Sequence, residues 1–238
     1  MDRNRLAPAA VAAALALLAL PLVTAAQHAR PAPYGDRLTV LAAAAPARPA
    51  VRVRGAAVEA YDPRSGARSW TYHREGRRPL AVRTAPGHAF ALWSDGMVTD
   101  TARVLSVDAV RWHRAVPGLA AWLAERPGRA AGVLQQLTPA VRGGGMLAVV
   151  TPERIAAYRA ADGDLRWTLP ARRECAFDPG RIARVAGVLI VAQPCRDRDA
   201  WTQELVAVDA LGRVTPGRTP LGNELPAASR VRAHGQRA

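Results

Sequence analysis

Ala60-Tyr61-Asp62-Pro63-Arg64-Ser65-Gly66-Ala67-Arg68-Ser69-Trp70 aligns without a gap on Ala157-Tyr158-Arg159-Ala160-Ala161-Asp162-Gly163-Asp164-Leu165-Arg166-Trp167. Both copies open Ala-Tyr, place glycine at the same offset and close on tryptophan. Internal repetition sets architecture before any local reading does. The box has a simple logic. A strand delivers Ala-Tyr, and a tight turn follows in which glycine takes a backbone angle that other residues resist. A second strand returns and ends in tryptophan, whose large flat ring is available for burial against a neighbouring repeat. Asp62 and Ser65 stand where their side chains can bond the turn's own backbone.

Outward from the box, the chain reads as short strands and turns. Val51-Arg52-Val53 alternates, and Ala56 to Tyr61 is strand-like into the Asp62–Gly66 turn. His88 to Trp93 runs into Ser94-Asp95-Gly96, Met146 to Thr151 follows Gly143-Gly144-Gly145, and Glu204 to Asp209 alternates. Such a pattern signals an all-β fold. Pro117 to Leu137 breaks the rhythm with Leu119, Trp122, Leu123, Val133, Leu134 and Leu137 around Pro127-Gly128. That segment fits two short helical turns or an ordered loop packed on the domain.

The first copy, Ala-x-Asp-x-x-Ser-Gly-x-x-x-Trp, resembles the tryptophan-docking motif of the pyrroloquinoline-quinone-like β-propeller repeat family. Ala60, Asp62, Ser65, Gly66 and Trp70 carry the resemblance; Ala157, Gly163 and Trp167 carry it in the second copy, where Arg159 and Asp162 depart from the pattern. Looser copies are Val107 to Trp112 and Ala207 to Gly212. Trp112 falls between the two clear tryptophans, which makes repeats of roughly 40–55 residues, a blade period. The resemblance implies a β-propeller-like array of about four blades, small or incomplete, over residues 51–222. An incomplete array leaves edges or faces for self-association or for a partner.

The N-terminus supplies the address. Asp2, Arg3 and Arg5 form a short charged stretch, 1–5, before an uncharged run over 6–26. The run has the ~20-residue length of a bilayer-crossing helix. The flanking arginines place residues 1–5 in the cytoplasm and the body outside. Two readings stand: a signal anchor of the cell membrane, or a signal peptide cut near Ala25 or Ala26 and a secreted body. Residues 27–50 read as an Ala/Pro-rich linker and 223–238 as a disordered tail. The composition and the apolar run also resemble actinobacterial single-pass proteins carrying such a domain.

All 33 basic residues are arginine, and the formal net charge is +14. The arginines are scattered and not interleaved with aromatics, which argues against a nucleic-acid partner. The two cysteines suit an oxidising compartment. Cys175 and Cys195 lie symmetrically about a hairpin turn expected at Ala186-Gly187, between Arg181–Val185 and Val188–Ala192, where paired strands bring them within disulfide reach.

Catalytic patterns are weak. Quinone-dependent dehydrogenases of the resembled fold hold a calcium-bound quinone with acidic and amide ligands, a general-base aspartate and often a disulfide between adjacent cysteines. Here the cysteines are not adjacent, and the only asparagines, Asn4 and Asn223, lie outside the repeats. His73, His88 and His113 show no zinc-ligand spacing. Ser94-Asp95-Gly96 lacks the context of a nucleophile turn. The triple glycine is followed by neither Gly-Lys-Ser/Thr nor a helix, as a phosphate loop would be. Glu153 and Glu174 are lone carboxylates. The expectation is therefore a non-catalytic module with no cofactor or metal site. Its partners would be an envelope protein or a second copy, and the membrane through the N-terminal run. The alternative is a sensor or carrier for a small molecule or sugar; a quinone-dependent dehydrogenase ranks last.

Overall fold

Among the described residues, four antiparallel four-stranded sheets follow one another along the chain. The computed structural model describes residues 33–41, 48–104, 109–137, 145–196 and 205–215. Sheet 2 is a meander of β5 (Pro79–Ala85), β6 (His88–Trp93), β7 (Met97–Ala102) and β8 (Val110–Ala115). Sheet 3 repeats it with β9 (Leu134–Leu137), β10 (Met146–Val150), β11 (Arg154–Arg159) and β12 (Leu165–Pro170). Sheet 4 repeats it with β13 (Ile182–Val185), β14 (Val188–Ala192), β15 (Leu205–Val208) and β16 (Val214–Thr215). The four-blade expectation holds. The apolar run 6–26, the Val107 end of the third copy and the tail 223–238 lie outside the described residues. Among the described residues no helix is long and apolar enough to cross a membrane.

Sheet 1 departs from the meander. Its order is β1-β4-β3-β2, with β1 (Asp36–Val40), β2 (Ala50–Arg54), β3 (Ala57–Tyr61) and β4 (Arg68–Arg74). β3 and β4 flank the first box as β11 and β12 flank the second. So β2, β3 and β4 fill the second to fourth places of a blade, and β1 is added outside β4. This corrects the reading of 27–50 as linker throughout. β1 pairs with β4 from Asp36↔Arg74 to Val40↔Trp70.

The sheets stack face to face, and the core lies in three seams. Val58, Ala60, Trp70 and Tyr72 of sheet 1 pack on Ala89, Ala91 and Trp93 of sheet 2. Phe90, Leu92, Val98 and Trp112 pack on Leu147, Val149, Ala156 and Tyr158 of sheet 3. Ala148, Val150, Ile155 and Leu169 pack on Leu189, Val191, Val206 and Val208 of sheet 4. The central strands are thus apolar on both faces, as HAFALW in β6 shows with five buried residues in succession. The Pro117–Leu137 segment holds the helix Leu119–Glu125, a 3-10 turn at Pro127–Arg129 and the short helix Ala130–Val133 before β9. Leu119, Leu123 and Val133 are buried in the second seam, each burial contributing roughly 1.5–3 kcal/mol.

Candidate functional site: the docking seams and the two end faces

Each seam is closed by one indole. Trp70 pairs with Ala60, Trp112 with Asp100 and Trp167 with Ala157, and each pair is followed by the same register shift one residue on. That bulge turns the ring forward onto the next sheet. Trp70 Nε1 donates to the Arg103 carbonyl at 3.2 Å, Trp112 Nε1 to Ala160 at 2.9 Å and Trp167 Nε1 to Ala210 at 3.1 Å. Each acceptor follows Asp100, Ala157 or Ala207 by the same short offset, so the indole reads one turn position in the next sheet. Trp70 and Trp112 are buried and Trp167 is partly so. Truncating a buried tryptophan to alanine costs about 3–5 kcal/mol.

The glycines form the seats. Gly163 has φ +69°, and a Cβ there would stand 2.6 Å from the Trp112 ring. Gly212 has φ +78°, with the Trp167 ring 2.9 Å from the same construction. Both demands, a left-handed backbone and no side chain, select glycine. Gly66 has φ +74°, but among the described residues nothing lies within 4 Å of a Cβ there and no ring arrives at the first turn.

The turns keep a carboxylate even where the motif changes. Arg64 N–H donates to Asp62 Oδ1 at 2.8 Å and Ala67 N–H to Ser65 Oγ at 3.3 Å. In the second copy Asp162 takes over and accepts from Asp164 N–H at 3.0 Å. Arg159 bonds both Asp162 and Asp164 from the place of the expected aspartate. In sheet 4, Asp209 Oδ1 accepts from Leu211 and Arg213 N–H. The amide of Arg64 holds the Asp62 carboxyl below its ordinary range.

Two buried polar clusters were not foreseen in the sequence. The first sits where β1 meets the first seam. Tyr72 Oη donates to Asp36 Oδ1 at 2.7 Å, and His113 Nε2 lies 2.7 Å from Asp36 Oδ2. Tyr34 stacks on His113. Arg74, whose side chain is 3% exposed, reaches both Asp95 oxygens at 3.0 Å. Burial and the neighbouring Asp36 carboxylate push the Tyr72 phenol far above its ordinary range, which keeps it a donor.

The second cluster lies in the second seam. Asp100 occupies the register that Ala60 and Ala157 occupy opposite their tryptophans, and it is fully buried. His88 Nδ1 is 2.7 Å and Arg111 3.3 Å from Asp100 Oδ2, while among the described residues Oδ1 has no partner. Arg111 also stands 2.8 Å from His88 Nδ1. That nitrogen has one proton or one lone pair, so it serves Asp100 or Arg111 but not both. Burial raises the Asp100 carboxyl above its ordinary value, against the pull of His88 and Arg111. Thus His88 and His113 each bond an aspartate, while His73 lies half-buried on sheet 1. Cys175 and Cys195 form a disulfide, and β13 and β14 turn at Ala186-Gly187 as expected. Among the described residues no three His, Cys, Asp or Glu side chains form a group able to hold a metal ion.

The two ends of the stack differ. The outer face of sheet 1 is polar. Glu59 is buried at its centre under Arg52 at 3.3 Å, Arg68 at 3.6 Å and Arg54 at 3.9 Å, and Arg52 lies over the Tyr61 ring. The outer face of sheet 4 is apolar. Val188 and Ile190 lie opposite in sense to the buried Leu189 and Val191, beside exposed Ala183 and Val185, the last at 58%.

Residues 110–215 match the family model described as outer membrane protein assembly factor BamB. That stretch, from β8 through sheet 4, is similar to PQQ-like β-propeller repeats. No curated protein matches the chain. Among solved structures, BamB from Moraxella catarrhalis is 20% identical with a TM-score of 0.46, over 71% of this chain and 44% of that one. A protein of unknown function from Bacteroides caccae is 14% identical with a TM-score of 0.38, over 69% and 55%. The computationally designed Ika8 protein is 9% identical with a TM-score of 0.40, over 69% and 46%. The chain spans about half the length of those structures.

Proposed function

We propose that this chain is a non-catalytic, extracytoplasmic propeller module, held at the membrane by its N-terminal apolar run, that works by contact with another protein of the envelope. The PQQ-like repeat fold supports an interaction module in general terms. The observation that carries the finer reading is the outer face of sheet 4. In sheets 1 to 3 the corresponding face is covered by the next sheet and sealed by a tryptophan. In sheet 4, Thr215 pairs with Ala207 where Trp70 pairs with Ala60, and the apolar residues Ala183 and Val185 stay exposed. An apolar sheet face of this kind marks a contact surface. Blade-like packing against a partner's apolar face would bury it.

The test is site-specific photo-crosslinking of the full chain in intact cells. A photoreactive residue at Val185 is expected to trap an envelope protein, and one at Arg64, on the capped end, is expected to trap none. Crosslinks equal at the two positions, or adducts of a second copy alone at Val185, would overturn the reading.

A further inference from the structure

The inner strands carry a feature that the docking seams do not use. β5, β9 and β13 are the first strands of sheets 2, 3 and 4. Arg83 of β5 pairs in register with Phe90, so it projects from sheet 2 toward sheet 3. Arg184 of β13 pairs with Leu189, so it projects from sheet 4 back toward sheet 3. The two guanidinium groups converge over the short β9. Together with Arg129, Gln135, Gly128, Gly132 and the Pro179-Gly180 turn they line a concavity of about 830 Å³.

Among the described residues no carboxylate lines it. Arg129 is committed to Asp178 at 3.0 Å, which also engages Arg181 and the Gly180 amide. Arg83 is anchored through Nε to the Leu134 carbonyl at 3.1 Å. That single bond leaves the remaining N–H groups of its fork to other acceptors. Among the described residues neither Arg83 nor Arg184 has an acidic partner. Two like charges held near each other in a half-enclosed space repel, and an anion between them relieves that repulsion. Burial and then the charge of Arg184 lower the affinity of Arg83 for its proton, which agrees with this arrangement. Arg83 comes from one side of β9 and Arg184 from the other, a geometry suited to two-sided capture of an oxyanion.

We infer that the concavity between β5, β9 and β13 is a binding site for a small oxyanion, phosphate or carboxylate, clamped by Arg83 and Arg184. The site is separate from the outer face of sheet 4, so its test does not depend on the partner-binding proposal.

The full chain is titrated calorimetrically with inorganic phosphate and, separately, with citrate, in low-chloride buffer. Saturable binding of either is expected, and the stronger of the two identifies phosphate or carboxylate as the preferred group. Arg184→Ala, at an exposed side chain, is expected to weaken binding at least tenfold with an unchanged melting temperature. Arg83→Lys, which keeps the charge and loses the fork, is expected to weaken it similarly. Arg64→Ala, in the first turn, should leave it unchanged. Absence of saturable binding, unaltered affinity in Arg184→Ala, or an equal loss in Arg64→Ala would overturn the assignment.

Discussion

Gly66 and Gly163 occupy the same place in the two boxes and meet opposite surroundings. Both have positive φ, so alanine costs roughly 1–2 kcal/mol at either from the backbone alone. At Gly163 the added methyl must also displace the Trp112 ring, while at Gly66 it enters open space. Chemical denaturation should therefore show Gly66→Ala losing only the backbone cost and Gly163→Ala losing roughly 1–3 kcal/mol more. Equal losses would mean that the glycine seat does not hold the ring. These seats were legible in the sequence because turn, glycine and indole recur together at one spacing. Asp100 was not, although it stands at the alanine register of the box. Its copy has a rearranged turn, and its partners His88 and Arg111 meet it only through strand pairing. The Asp36–His113 contact has the same origin, since the two residues lie on sheets brought together by the seam.

Among the elements, β1 shows most clearly what a local reading misses. Its sequence, DRLTV, has a mostly exposed pattern and little apolar alternation, so it read as part of a linker. Backbone pairing to β4 and the Asp36 contacts make it a strand. β9, LQQL, was hidden for another reason: it is four residues long and follows two helical turns. By contrast, β6, β10 and β14 could be read directly, because β-branched and aromatic runs are bounded by turn residues. The link from β4 to the β6–β7 turn through Arg74 and Asp95 has a pH signature. Burial raises the Asp95 carboxyl, but the Arg74 hydrogen bond, the Met97 amide and the charges of Arg74 and Arg77 outweigh it and hold the carboxyl below its ordinary value. A depressed carboxylate stabilises the fold above its unfolded value, near ~3.9, and loses that contribution as pH falls through the folded value. Asp95→Asn should therefore melt lower than the wild type at pH 7, with the gap closing as the pH drops below about 4. A gap that stays constant down to pH 2 would show that charge on Asp95 is not what matters.

At the scale of the whole molecule, the stack is a one-dimensional array with unequal ends, and stability in such arrays is close to a sum of repeat and neighbour terms. Sheets 2 and 3 are covered on both faces. Sheet 1 is covered on one face and capped on the other by the Glu59–arginine cluster. Sheet 4 has one covered face, a two-residue last strand and no closing tryptophan among the described residues, so its compensation comes from the covalent link. Cys175 and Cys195 tether the approach to β13 to the exit of β14, and closing a loop of this size contributes about 3 kcal/mol in the chain-entropy picture. Native-state hydrogen exchange should thus be slowest in β6, β7, β10 and β11 and fastest in β13 to β16. Reducing the disulfide should accelerate exchange in sheet 4 by about a hundredfold, the factor that corresponds to about 3 kcal/mol. Sheets 1 to 3 should change by only a few-fold, because their seams carry their own indoles. If reduction accelerates all four sheets together, the molecule unfolds as one cooperative unit, and the end-to-end gradient drawn from its docking ladder is wrong.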